Sequence, residues 1–140
     1  MAQNDVDVVI VGAGFSGMLL IWRLRTLGFT TRVFERGSDV GGTWYWNRYP
    51  GARCDVESMQ YSYSFDESLQ QDWRWPEKFS AQPDILHYAR HVADRFDLRK
   101  SISFDTGVTA ARYKANERRW HVETDTGEHV SARFVVMATG

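Results

Sequence analysis

The run Val6-Asp7-Val8-Val9-Ile10-Val11 leads without a break into Gly12-Ala13-Gly14-Phe15-Ser16-Gly17. A short, nearly continuous stretch of β-branched residues reads as a strand buried on both faces. The following residues, Met18 to Leu27, are mostly good helix formers, with Leu20, Leu24 and Leu27 at helical spacing as the apolar stripe. Gly28 is placed to stop that helix. Thr30 to Phe34 then reads as a second strand, closed by Glu35. Strand, glycine turn, helix and strand in this order restrict the chain to an α/β fold with a parallel sheet.

Each glycine of the turn has its own task. Gly12 permits the tight strand-to-helix turn, Gly14 lets the backbone approach a pyrophosphate, and Gly17 allows the helix to pack closely on the strand. The pyrophosphate lies over the helix N-terminus, where free N–H groups and the dipole favour negative charge. Glu35 stands about 20 residues on, where an acid accepts hydrogen bonds from a ribose diol. A carboxylate there repels a 2′-phosphate, so this site is expected to take FAD or NAD and not NADP. A glycine-rich structural turn is the alternative, and it leaves Glu35 without a purpose.

The 140 residues are the length of one domain, and the formal net charge is −1. No basic excess points to nucleic acid or to an anionic membrane surface, and no apolar run approaches transmembrane length. The single cysteine, Cys54, excludes an internal disulfide and fits a reducing compartment. Met1-Ala2-Gln3-Asn4-Asp5 is polar and has no signal-peptide character. A cytoplasmic location is the expectation.

Aromatic residues crowd the middle of the chain: Trp44, Tyr45, Trp46, Tyr49, Tyr61, Tyr63, Phe65, Trp73, Trp75 and Phe79. They read as a core patch, as a wall around a flat ring system, or as both. Trp44 and Trp46, in a Gly/Pro/Asn-rich loop, favour the wall; Trp73 and Trp75 favour the core. A second helix is expected from Ser80-Ala81-Gln82-Pro83-Asp84 to Phe96 or Leu98, burying Ile85, Ala89, Val92 and Phe96. His87 and His91 fall off that stripe and read as a solvated face, not a metal pair, and no metal site is expected. Ile102 to Phe104 is a short strand. Val108 to Tyr113, Arg119 to Thr124 and His129 to Ser131 form a small antiparallel meander, with turns at residues 115–117 and 125–127. Phe134 to Met137 reads as a further, separate strand of the buried type.

The glycine turn followed by Gly41-Gly42-Thr43-Trp44-Tyr45-Trp46-Asn47-Arg48-Tyr49-Pro50-Gly51-Ala52-Arg53-Cys54-Asp55 resembles the type I Baeyer–Villiger monooxygenases, the phenylacetone and cyclohexanone monooxygenase group in particular. The likeness continues through Val56-Glu57-Ser58, Tyr61-Ser62-Tyr63-Ser64-Phe65, Gln82-Pro83 and residues 91–98, and so covers essentially the whole chain. It implies a Rossmann-like FAD-binding half-domain of the glutathione-reductase type, a parallel sheet in which an antiparallel β-meander replaces a crossover helix. It also implies FAD held without a covalent link and reduced by NADPH. Oxygen adds at flavin C4a, and the peroxyflavin converts a ketone to an ester or lactone.

By the same resemblance, Gly12, Gly14, Phe15, Ser16 and Gly17 hold the FAD pyrophosphate and Glu35 the adenosine ribose. Gly42, Thr43, Trp44, Tyr45 and Trp46 line the flavin side, Tyr61 sits near the flavin, and Val108 touches the adenine through its backbone. Arg53, Cys54 and Asp55 meet the flavin and the nicotinamide end of NADP. Asp55 is the candidate catalytic residue, its carboxylate positioning an arginine that stabilises charge on the reacting oxygen. A loop carboxylate capping a helix start is the bland alternative for Asp55. Cys54 reads as a small buried residue.

The family's second glycine motif for NADP, its signature between the two domains and its catalytic arginine do not occur in these 140 residues. Residues 1–140 are therefore expected to be the N-terminal part of an FAD-binding domain. The partners expected are a small ketone, O2 and the NADP-binding remainder of a parent enzyme. An FAD-binding piece without turnover, a related N-hydroxylating or flavin-containing monooxygenase, and a simple NAD-dependent dehydrogenase are the competing readings.

Overall fold

The computed structural model describes residues 4–140; Met1 to Gln3, the start of the polar N-terminal stretch, lie outside the described residues. The chain forms β1 (Asp5–Val11), α1 (Phe15–Thr26), β2 (Thr31–Phe34), α2 (Thr43–Trp46), α3 (Glu67–Asp72), α4 (Gln82–Arg95), a 3-10 turn (Arg99–Ser101), β3 (Ile102–Ser103), β4 (Val108–Lys114), β5 (Arg119–Thr124) and β6 (His129–Met137). All six strands join one mixed sheet in the order β3-β2-β1-β6-β5-β4. β1 pairs in parallel with β2 on one side and β6 on the other, and β5 pairs antiparallel with both β6 and β4. This is the expected parallel half with its meander.

From Val8 to Ile10, β1 alternates between two cores, as the period of two requires. Val8 and Ile10 pack with Met18 and Ile21 of α1 and with Tyr88, Ala89 and Val92 of α4. Val9 joins Phe34, Val122, Val130 and Ala132 in a second cluster. Full burial of side chains such as Ile10 and Ile21 contributes roughly 1.5–3 kcal/mol apiece.

The stripe of α1 differs from the expected one. Gly17, Met18 and Ile21 are its buried residues, Leu20 and Leu24 pack at the margin, and Leu27 is 57% exposed. Leu27 is the C-cap, past the last turn that faces the sheet. Gly28, at φ +83°, donates to the Arg25 carbonyl while Phe29 donates to that of Leu24. That pair of bonds closes the helix with a left-handed glycine, as expected.

α4 starts and stops close to expectation, with Pro83 and Asp84 in its first turn. It buries Leu86, Tyr88 and Ala93 in addition to Ile85, Ala89 and Val92, because it packs against the sheet on one side and the aromatic segment on the other. Phe96, assigned to its stripe, is the half-buried C-cap residue.

The larger correction concerns β6. His129–Ser131 and Phe134–Met137 are one nine-residue strand. No turn residue interrupts them: β5 pairs with His129 to Ala132, Glu123 facing His129, and β1 pairs from Ser131 to Met137, Val8 facing Phe134 and Val11 facing Met137, so Ser131 and Ala132 are held on both sides. The second half is also less covered than a buried strand. Phe134 is 51% and Met137 63% exposed, while Val136 and Ala138 pack with the core beneath α1. Among the described residues, no helix is long and apolar enough to cross a membrane.

Candidate functional site

The C-terminal ends of β1, β2 and β6 meet at the glycine turn, the crevice position where open α/β sheets bind ligands. Gly12 stands at φ +106°, and a Cβ there would lie 2.3 Å from the Ala138 carbonyl oxygen at the end of β6. A Cβ on Gly17 would lie 2.1 Å from the Gly12 carbonyl oxygen. Both glycines are thus required by backbone contact, for the turn and for the helix–strand approach. Gly14 and Gly42 also meet: a Cβ on Gly42 would come within 2.9 Å of the Gly14 Cα. The Gly41 N–H donates to the Ala13 carbonyl at 3.1 Å and fastens the two glycine segments together. That pairing was not legible in the sequence, and paired glycines far apart in the chain are the only signal for it.

Helix α1 opens on Gly14 with no side-chain cap and no acid in its first turn. The N–H groups of Phe15, Ser16 and Gly17 therefore point out of an uncapped positive end. Ser16 is exposed and Phe15 half-buried. Phe15 packs edge-on to Tyr61 at 5.4 Å and beside Tyr63 at 5.3 Å, and its carbonyl accepts the Tyr63 hydroxyl. Burial pushes the Tyr63 phenol far above its ordinary value, so it stays a donor.

Glu35 is buried at the end of β2. Its Oε2 accepts the Ala13 N–H at 2.8 Å and its Oε1 accepts the Gly37 N–H at 2.7 Å. The acid expected to read a ribose thus also braces the glycine turn. Each carboxylate oxygen keeps a further lone pair for a hydroxyl donor. Val108 opens β4, half-buried, next to Gly107, whose N–H is held by Asp125 at 2.9 Å.

The tryptophan-rich loop is in part a helical turn, α2, and it sorts its aromatics. Trp44 is buried with Cys54 and Ile85, and its indole N–H donates to the Tyr61 hydroxyl at 2.7 Å. Its carbonyl accepts the Gln82 amide at 2.5 Å, so α4 holds the turn in place. Tyr45 is half-buried, and its hydroxyl accepts the Ser38 N–H at 2.9 Å. Hydrogen bonds from the Ser38 side chain and backbone draw its pKa down. Thr43 and Trp46 are exposed. Trp44 is thus a core residue that touches Tyr61, and Trp46 is the exposed ring, edge-on to Tyr45 at 4.8 Å.

Cys54 is buried, as expected, with its thiol donating to the Val56 carbonyl at 3.1 Å. Arg53 pairs with Glu77 at 3.0 Å and donates to the Phe79 carbonyl. Asp55 is exposed and has no hydrogen bond or ion pair among the described residues. A turn, not a helix, follows it, so the capping reading of Asp55 fails. Trp73 and Trp75 pack against the core, as expected. His87 is exposed, whereas His91 is half-covered by the Trp73 ring at 5.1 Å, which corrects the solvated reading for that residue. Among the described residues no three His, Cys, Asp or Glu side chains are grouped to hold a metal.

The arrangement defines a class: a Rossmann-like dinucleotide-binding segment, and the NAD(P)-binding Rossmann-like domain family matches residues 10–74. Across nearly its whole length the chain is similar to Baeyer–Villiger monooxygenases. It is 47% identical over 137 residues to a Baeyer–Villiger monooxygenase of Pseudooceanicola batsensis, covering 97% of this chain and 25% of that protein. It is 42% identical over 144 residues to the phenazine N-monooxygenase PhzNO1 of Lysobacter antibioticus, covering 100% of this chain and 27% of that protein. Among solved structures it superposes with TM-score 0.96 on oxidized steroid monooxygenase bound to NADP, at 60% identity, covering 97% of this chain and 26% of that one. The chain spans about a quarter of the length of the relatives it matches.

Proposed function

We propose that this chain is the FAD-binding portion, N-terminal in its parent, of an NADPH-dependent Baeyer–Villiger monooxygenase that converts small ketones to esters or lactones with O2 in the cytoplasm. The observation that carries the reading is the likeness to a Baeyer–Villiger monooxygenase across 97% of the chain, glycine turn and long loop together. The geometry fits FAD. The α1 N-terminus is uncapped, the Gly14–Gly42 crevice carries no side chain, and Glu35 lies buried at the end of β2.

Bound FAD, reduced by NADPH, supplies the activation of O2 that side chains do not provide. The chain's own residues bind and orient. The N–H groups of Phe15, Ser16 and Gly17, around Gly12 and Gly14, hold the pyrophosphate, and Glu35 accepts the ribose hydroxyls. Gly42, Thr43, Tyr45 and Trp46 line the flavin side, with Trp44 and Tyr61 supporting it from the core. Val108 meets the adenine through its backbone. Arg53 and Cys54 set the backbone before Asp55. The unpaired Asp55 carboxylate fixes an arginine of the NADP-binding remainder, whose charge then stabilises the developing oxyanion.

A second reading, an oxygenase of nitrogen, draws on the comparable identity to a phenazine N-monooxygenase. The test is the visible spectrum of the purified chain with FAD, then anaerobic NADPH, beside ketone turnover by the longer enzyme. FAD retention by the chain and NADPH-dependent ester formation by the longer enzyme are expected. Failure to retain flavin removes the reading, and N-oxide formation without ester replaces it with the second.

A further inference from the structure

We infer that Arg36 is the adenine-recognising residue of this site, its guanidinium plane stacking on the purine of the bound dinucleotide; this rests on the proposed FAD reading. The sheet order β3-β2-β1 lays out the ligand. The pyrophosphate end belongs over α1, which follows β1, and the ribose belongs at Glu35, which closes β2. The purine must then extend toward the loop that follows β3, residues 104–107. Arg36 follows Glu35 directly and faces that loop: its Nε lies 3.6 Å from where a Cβ on Gly107 would stand.

Arg36 is exposed and makes no hydrogen bond, ion pair or ring contact among the described residues. Asp125 stands by the same spot, with its Oδ1 accepting the Gly107 N–H at 2.9 Å. Elsewhere the arginines of this fold are mostly engaged, as Arg90 and Arg99 are by Asp39. A planar cation beside a purine pocket stacks well, and guanidinium is preferred to ammonium for that contact. A Cβ on Gly107 would stand 2.9 Å from the Asp125 carboxylate and in ordinary contact with Arg36 Nε, so the glycine leaves that place beside the guanidinium free.

The experiment titrates the chain and its Arg36→Ala and Arg36→Lys variants with FAD, FMN, ADP and NADP+, and records melting curves with and without each ligand. Arg36→Ala is expected to weaken FAD and ADP about 3- to 30-fold, from the loss of one cation–π contact. FMN, which lacks the adenylate, is expected to bind all three proteins equally, and the ligand-free melting temperature is expected to stay the same. Arg36→Lys is expected to fall between. Unchanged FAD affinity in Arg36→Ala overturns the inference alone. A fall in ligand-free stability overturns it in favour of a structural role. A preference for NADP+ that Arg36→Ala abolishes overturns it in favour of a 2′-phosphate contact. Failure of the unaltered chain to bind FAD overturns the FAD reading as well.

Discussion

The Glu35 carboxylate accepts the Ala13 N–H at 2.8 Å, across the gap between the end of β2 and the glycine turn after β1. With its second oxygen on the Gly37 N–H, the side chain joins three segments of the site in a buried place. Glu35→Ala leaves two amide donors without a partner, a loss of about 2–4 kcal/mol in total. Urea unfolding of the ligand-free chain is the measurement. Glu35→Gln, which keeps one acceptor oxygen, is expected to lose less. Equal stability of all three proteins removes the bracing role.

The glycines divide by what surrounds them. Gly12→Ala drives a methyl into the Ala138 carbonyl, a backbone atom that does not yield, at a φ of +106°. A loss above about 4 kcal/mol is expected, enough to leave the chain insoluble. Gly28→Ala has an equally left-handed φ of +83° but nothing within 4 Å. Its expected cost is about 1–2 kcal/mol, the local strain alone. Soluble yield and thermal melts of the two variants give the order.

Asp39 precedes Val40-Gly41-Gly42 and holds this segment to Arg90 and Arg99, each at 2.9 Å. Burial pushes its carboxyl up, but the Val40 N–H and the two guanidiniums outweigh that and set it below its ordinary 3.8. Hydrogen bonds from Thr30 lower Asp7 in the same way. A carboxylate with a depressed folded pKa adds stability above its unfolded value, and that stability is lost as the pH falls through the folded value. Urea midpoints measured from pH 7 downward should therefore drop most steeply below about pH 4. Asp39→Asn should lower the midpoint at pH 7 and flatten the acid limb.

Asp55 is exposed and makes no hydrogen bond or ion pair among the described residues, so Asp55→Ala is expected to leave melting temperature and FAD retention unchanged. In the longer enzyme the same change is expected to cut ester formation by about 10²–10³-fold, as for the loss of one preorganised charge contact. NADPH consumption would continue with release of hydrogen peroxide. Ester yield per NADPH consumed is the measurement, and a normal yield excludes Asp55 from the chemistry.

Local chemistry alone determined β1, the glycine turn, α1, its Gly28 stop and Glu35 at the end of β2. It also marked α4 and the limits of β5, because strand runs, caps and turn residues act over a few neighbours. Tertiary structure decided what depends on distant partners. β6 is one strand because β5 pairs along its start, β1 along the rest, and both hold Ser131 and Ala132, and no window of sequence contains all three. Trp44 is buried and Trp46 exposed, two residues apart, because α4 and Tyr61 cover only one side of α2. The meeting of Gly14 with Gly42 likewise exists only once both turns are folded over α1.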